Sequence, residues 1–495
     1  MIKKPVKLLK AAYAKYLRIP VAARAGLWFV FCTMLQKGIA FITVPIFTRI
    51  MPTAEYGLYS TYLSWYSILT VFCTLNMSTV IYVNDYTRAD TRREKDAVAV
   101  PLLSLSSVIT ILLFVVYVIF QNPLTELTGM PPVLMYLLFA QILFEPPVLM
   151  WSAQQRFEYR YVKLVAVTIG IVLLNAVLGI IFVVLASSDE AVVRAVSIVL
   201  VQVIFGGIFY VYFWKRARKV FSVKGWGHAL RVQLPLVPHN LSLTVLSSSD
   251  RIMISEMIGK AQAGFYSVAY SAGFVVNMLK SSIVDALKPW IYQKIKAKDY
   301  ASIRKTVNVV IVGVMLISVI FTAFGPEIIM LMAPDEYSDA IYVIPPVAAS
   351  SFFTFMFNIF SIVGMYFEKS NKIMIASVSG ALLNIVLNLI CIPLFGYVAA
   401  GYTTMAGYMF FSVAHYLIMR GICKKELGNV RIYDMKFLVL MGAIVIVLTV
   451  LFSFAYGNIF IRYGLVLVII AAAFVKRKLF INTFKEIKKK KSPKQ

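Results

Sequence analysis

Charge is what this chain has least of. Only 14% of its 495 residues are Asp, Glu, Lys or Arg, against roughly 25% in a soluble domain, so most of its surface lacks solvating groups. Histidine is nearly absent, at 3 residues, and cysteine is limited to 4. Cys32, Cys73, Cys391 and Cys423 lie in or beside apolar segments and read as packing residues, not as a disulfide framework. No metal-ligand cluster stands out, and no Gly-Lys-Ser/Thr phosphate cradle occurs. ATP hydrolysis by this chain is thereby excluded, and no cofactor, metal or catalytic residue is expected. Long polar stretches are missing too, which leaves no room for a soluble domain. A membrane-embedded polymerase or ligase would need a sizeable outer loop for its catalytic groups, so we expect no enzyme. Residues 1–24 lack a small-residue cleavage site, and no cleavable signal peptide is expected.

What is present is hydrocarbon. The chain is 60% hydrophobic with a mean hydropathy of +0.81, and apolar runs of about 18 or more residues recur from Leu27 to Val475. These mark an all-α polytopic membrane protein. We expect about fourteen spans, at about 25–49, 58–83, 97–120, 132–152, 161–186, 191–214, 232–258, 263–286, 305–324, 340–366, 371–394, 398–420, 437–455 and 459–475.

Lys and Arg orient them. The net charge of +27 would suggest nucleic acid in a soluble protein, but a membrane protein concentrates Lys and Arg in its cytoplasmic segments, and no nucleic-acid partner is expected. With the N-terminus inside, 42 of the 49 Lys and Arg fall in alternate, cytoplasmic segments. An even span count then puts both basic tails inside. The expected outer loops are short and carry acids: Glu126, Asp189, Glu190, Asp335, Glu336 and Asp339. Residues 1–24 set a basic face (Lys3, Lys7, Lys10) against an apolar one, as in an amphipathic helix on an anionic leaflet.

The chain also repeats itself. Arg49-Ile50-Met51, Gly57-Leu58-Tyr59-Ser60 and Ser64 are echoed by Arg251-Ile252-Met253, Gly264-Phe265-Tyr266-Ser267 and Ser271, at offsets of 202 and 207 residues. A weak repeat joining hydrophobic segments is what a duplicated transporter looks like, and an even number of intervening spans makes the copies parallel, with a substrate site between them. The expected organisation is a basic amphipathic segment (1–24), an N-terminal six-helix bundle (25–214), a cytoplasmic linker (215–231), a C-terminal six-helix bundle (232–420), two additional helices (437–475) and a basic tail (476–495).

Polar residues inside spans are the candidate site. Lys37 lies mid-span, where a lysine costs roughly 2.5–3.5 kcal/mol on insertion scales; it faces an aqueous cavity that takes an anionic headgroup, pairs structurally with an acid, or snorkels to an interface. In span 7, Asn240, Thr244, Ser247 and Arg251 share one helix face, with His239 and Asp250 on the neighbouring strip. Such a stripe must face protein or water, as substrate contact or as helix–helix glue. Pro235 and Pro238 break or bend the inner end of that span. Span 8 presents Tyr266, Tyr270, Gly273, Asn277 and Ser281 with Lys280 close by, a wall suited to sugars or to ordinary packing. Glu145, beside Pro146-Pro147, could carry a proton or neutralise a cavity lysine. Glu145, His239 and Asp250 are the ion-coupling candidates.

Two stretches carry a resemblance. Lys37-Gly38, Pro45-Ile46-Phe47-Thr48-Arg49 and Glu55-Tyr56-Gly57 resemble the opening signature of the polysaccharide flippases. Asp250-Arg251, Gly264-Phe265-Tyr266-Ser267 and Lys288-Pro289 resemble their second-half signature. The family is the Wzx-like branch of the multidrug/oligosaccharidyl-lipid/polysaccharide exporter superfamily. The resemblance implies two six-helix bundles moving an undecaprenyl-diphosphate-linked oligosaccharide outward across the bacterial cytoplasmic membrane. It puts Lys37, Arg49, Asp250 and Arg251 at the site, joined by Asn240, Ser247, Tyr270, Asn277 and Lys280 from the helix faces. Anionic membrane lipids are expected partners, with a polysaccharide polymerase and glycosyltransferases as candidates. A lipid II flippase, a cation-coupled drug exporter of the same fold and a non-transporting assembly scaffold stay open as alternatives.

Overall fold

A computed structural model of the chain describes residues 21–79, 81–216, 222–367 and 370–475. The tail at 476–495, residues 217–221 of the linker and all but the end of the amphipathic segment lie outside the described residues. Those described are helical, with no β-strand among them. In chain order the helices are α1 (Val21–Ile50), α2 (Thr53–Thr74), α3 (Ile81–Arg88), α4 (Arg92–Ile119), α5 (Gln121–Thr128), α6 (Pro132–Phe157), α7 (Tyr161–Leu185), α8 (Glu190–Trp214) and α9 (Val223–Gln233). They continue as α10 (Val237–Met257), α11 (Lys260–Ala272), α12 (Phe274–Lys296), α13 (Tyr300–Ala323), α14 (Gly325–Met332), α15 (Ile344–Tyr366), α16 (Ser370–Phe395), α17 (Val398–Glu426), α18 (Met435–Ala455) and α19 (Ile459–Val475).

Nine of the described helices are long and apolar enough to cross a membrane. The five remaining expected spans, near 58–83, 232–258, 263–286, 398–420 and 459–475, are largely helical as well but do not meet the same measure; the first of them is helical only to Thr74, and a turn at 75–79 separates it from α3. Three of these helices, α10, α11 and α17, supply Asp250, Tyr266, Thr403 and Thr404 to the polar assembly described below. The span expected near 263–286 is two helices, α11 and α12, meeting at Gly273. A 3-10 turn at Leu234–Leu236, containing Pro235, precedes α10, whereas α6 runs unbroken through Pro146 and Pro147. Outward-facing side chains such as Phe454 (85% exposed) and Phe460 (84%) would be a liability in water and suit contact with lipid.

The chain divides into two compact units, one from residues 1–51 and 65–237, the other from 52–64 and 238–495. In the first, α1 packs on α7, α7 on α8, α8 on α6 and α6 on α4, over a core that includes Tyr82, Leu103, Met150 and Phe209. Its helix starts follow capping chemistry: at α4, the Glu94 amide donates to Thr91 Oγ1 (3.2 Å) and the Thr91 amide to Glu94 Oε2 (3.3 Å). In the second unit α15 packs on α17, α13 and α18, and α16 on α17, around Leu287, Ile311, Phe352, Phe360 and Val445.

The last two helices are tied to this second unit. Phe452 and Val466 pack against Val319 and Ala323, the Tyr456 hydroxyl donates to Thr322 O at 2.8 Å, and the buried Arg462 guanidinium forks onto both oxygens of Glu327. Burial pushes the Glu327 carboxyl up, but hydrogen bonds from Tyr463 and Arg462 and the arginine charge more than offset this and hold it below the usual carboxylate range.

Candidate functional site

The densest polar assembly in the second unit is built on Asp250. This residue falls on the packed face of α10 and is 1% exposed. Its Oδ2 accepts from Thr404 Oγ1 at 2.6 Å and from the Tyr266 hydroxyl, and its Oδ1 accepts from Asn388 Nδ2 at 2.7 Å. A further layer supports these donors. Thr403 donates to Asn388 Oδ1, and Asn384 Nδ2 donates to Thr404 Oγ1 at 3.2 Å. Four helices, α10, α11, α16 and α17, thus converge on one carboxyl group. A buried carboxylate ringed by neutral donors and carbonyl or hydroxyl oxygens is suited to hold a proton or a small monovalent cation.

Arg251, the next residue, turns to a different surface. Its guanidinium lies 4.5 Å from the centre of the Tyr270 ring, a cation–π contact, and Tyr270 stacks on Tyr266 at 5.9 Å. Asp250 and Tyr270 are therefore joined through Tyr266. His239 Nδ1 is 3.1 Å from Ser377 Oγ. Positions 239 and 250 on α10 meet 377 and 388 on α16, so both partners step by eleven residues and the two helices run parallel in matched register.

The rest of the expected stripe looks back on its own helix. Thr244 Oγ1 donates to Asn240 O (3.0 Å), Ser247 Oγ to Thr244 O (3.0 Å) and Arg251 to Ser247 O (3.2 Å). Arg49 does the same in α1, donating to Pro45 O at 2.8 Å, so the two repeat arginines fold onto the carbonyl four residues earlier in the same way.

Lys280 on α12 is buried, 5% exposed. Its Nζ donates to Asn277 Oδ1 at 2.6 Å, and Ser351 Oγ reaches the same oxygen at 3.5 Å. Among the described residues no carboxylate forms an ion pair with it. A buried ammonium held by one amide oxygen is electrostatically unfinished.

The first-unit candidates are not gathered into one cluster. Lys37 is exposed near the middle of α1 and Arg49 is exposed near its end, about 18 Å further along the helix axis at 1.5 Å per residue. Glu145 is half-buried on α6 beside Tyr66, which hydrogen-bonds its carboxyl group, and its Oε2 is buried with no hydrogen-bond partner among the described residues.

The repeat itself closes on a contact. Gly57 and Gly264 are the fourth residues after Thr53 and Lys260, which begin α2 and α11. A Cβ on Gly264 would lie 2.8 Å from Thr53 O and 3.2 Å from the Gly57 nitrogen, and a Cβ on Gly57 would overlap the Lys260 carbonyl. Each glycine admits the first turn of the opposite helix, so the two copies of the motif meet about a local two-fold. Only glycine allows backbones this close.

Sequence reasoning missed Asn384, Asn388, Thr403 and Thr404. Their signal was present as an Asn pair at i, i+4 and a Thr pair, both in otherwise apolar helices. Among the described residues no three His, Cys, Asp or Glu side chains group as a metal site would require.

The fold is one seen in solved structures. It superposes on the lipid II flippase MurJ in an inward closed conformation with a TM-score of 0.66 at 14% identity, covering 92% of this chain and 100% of that one. It also matches an inward-facing multidrug resistance MATE family transporter of the MOP superfamily (TM-score 0.58, 13% identity, 81% and 99% covered). A MATE structure in complex with MaL6 follows at 0.53, with 15% identity and 81% and 96% covered. The chain belongs to the polysaccharide biosynthesis protein family, whose model matches residues 22–294, and the MatE model matches residues 235–390. No curated protein sequence matches it.

Proposed function

We propose that this protein is a Wzx-like flippase, moving undecaprenyl-diphosphate-linked oligosaccharide repeat units from the inner to the outer leaflet of the bacterial cytoplasmic membrane by alternating access, for surface polysaccharide biosynthesis. Family membership over residues 22–294 supports the class. The observation that carries the substrate chemistry is Lys280, a buried ammonium with a side-chain amide for company and, among the described residues, no carboxylate in an ion pair with it. Such a group is stabilised when an anion arrives, and a diphosphate headgroup is one. In this reading Lys280, Asn277 and Arg251 take the headgroup, Asn240, Ser247 and Tyr270 contact the sugar, and Lys37 and Arg49 are further substrate-binding candidates. Asp250, Glu145 and His239 are the groups that would carry an ion if one is coupled to the movement. Both termini are cytoplasmic.

The test is complementation of a strain that lacks its own flippase and makes one defined repeat unit. Lys280→Ala and Lys37→Ala should each abolish export at unchanged protein level, and the corresponding Arg variants should keep part of it. Export by Lys280→Glu equal to that of the parent would sink the anion site. The likeness to MurJ over 92% of this chain favours one other reading, a lipid II flippase. Rescue of a strain depleted of its lipid II flippase, without rescue of polysaccharide export, would select that reading instead.

A further inference from the structure

The second unit carries a surface feature that the flippase reading leaves unused. Where α17 ends and α18 begins lies a cavity of 240 Å³ whose lining includes Arg304, Arg420, Arg431, Lys436 and a single acid, Asp434. Asp434 caps α18, accepting from the Phe437 amide at 3.3 Å. Arg420 is occupied with the loop, donating to Asn429 O and Val430 O at 3.0 and 3.1 Å. Arg304, Arg431 and Lys436 are exposed and form no ion pair among the described residues. The result is a cup with a surplus of cations.

A second cavity, of 270 Å³, adjoins the first, with Tyr416 and Met435 lining both. Its walls are nearly all hydrocarbon, among them Met356 and Phe360 of α15, Met409 and Val413 of α17, and Leu438 and Val439 of α18. The cup alone would suit any phosphate, and the slot alone any alkyl chain. Side by side, they suit a molecule that has both. The Lys and Arg distribution assigns segments 288–305 and 420–436 to the cytoplasmic side, where the leaflet is rich in anionic lipid.

We propose that this composite groove binds one anionic glycerophospholipid, its phosphate among Arg304, Arg431 and Lys436 and one acyl chain along α18 between α15 and α17. The charge complementarity of the cup selects the headgroup, and the apolar slot selects the chain. So placed, the lipid seats the first of the two C-terminal helices against the body of the second unit.

Native mass spectrometry of the full-length protein released from nanodiscs of equimolar phosphatidylglycerol and phosphatidylcholine tests this. Phosphatidylglycerol should be retained over phosphatidylcholine by about tenfold or more, as several cations near an anionic headgroup give. The double variant Arg431→Gln/Lys436→Gln should bring retention down to the phosphatidylcholine level. Ala443→Trp, at an exposed position lining the slot, should also lose the lipid although the cup is intact. Unchanged elution and melting of both variants serve as the folding control. Equal retention of the two lipids by the parent, or unaltered retention by either variant, overturns the proposal. Loss in the charge variant alone would leave a phosphate site without a chain site. Displacement of phosphatidylglycerol by equimolar undecaprenyl phosphate would assign the groove to the lipid carrier, and also overturns it.

Discussion

At the level of single residues, Asp250 and Lys280 show what apolar context does to polar side chains. Both were visible in the sequence because an ionisable group inside a hydrophobic run is expensive, and the same physics accounts for the buried positions they occupy. Tyr266 and Asn277 were named with them, but two partners of Asp250 were not visible. Asn388 and Thr404 are neutral, each sits in a helix that reads as ordinary packing, and only the approach of α16 and α17 to α10 gives them a carboxylate to donate to. The two classes of substitution at Asp250 should separate. Asp250→Ala leaves the Thr404 and Asn388 donors buried without an acceptor, at about 1–3 kcal/mol for each group, and should lower thermal stability. Asp250→Asn keeps the shape and some of the hydrogen bonding but removes the charge. In vesicles it should bind substrate while losing any response of transport to a pH or sodium gradient, and an unaltered response would rule Asp250 out as the coupling group.

Helices repeat the lesson on a longer length scale. Hydropathy located the apolar helices, but the break of the eighth span at Gly273 and the fork between Arg462 and Glu327 depend on contacts far apart in sequence. Arg462 read only as an outlying cation; it is the clasp that holds α19 to α14. Removing one partner of a buried pair strands the other, at roughly 3–5 kcal/mol, and partial exposure of Glu327 puts this case at the lower end. Glu327→Ala should therefore lower the melting temperature and expose α18 and α19 to limited proteolysis, whereas Glu327→Gln, which still accepts from Tyr463, should do so less. A denaturation profile identical to the parent for Glu327→Ala would show that hydrocarbon packing alone seats these helices. The crossing of α2 and α11 is tested by Gly57→Val: its side chain overlaps the Lys260 carbonyl, so the helices must part and export should fall steeply, while Gly38→Val, with open space around its Cα, should export normally.

For the molecule as a whole, orientation and driving force are the quantities to measure. Cysteines replacing Lys260 or Asp335 in a cysteine-free background should react with an impermeant maleimide in intact cells, and one replacing Lys215 should not; the reverse pattern would invert the topology. If the cargo is a diphosphate-linked sugar, outward movement of about two negative charges gains roughly 2.3 kcal/mol per charge per 100 mV, about 4–5 kcal/mol in all, enough to drive export without a partner ion. Flipping in vesicles under a clamped potassium diffusion potential should then follow the potential, and flipping that ignores it but follows a pH gradient would favour antiport through a carboxylate. The meeting of Gly57 with Gly264 bears on the history of the chain as well. Two halves descended from one ancestor can drift apart wherever their surroundings differ, but each of these glycines is hemmed in by the backbone of its own counterpart. A change in either copy is punished at once, and no change in the other can relieve it, since glycine has nothing left to give up. Divergence would be arrested at that point, and it is there that Gly57-Leu58-Tyr59-Ser60 is echoed by Gly264-Phe265-Tyr266-Ser267.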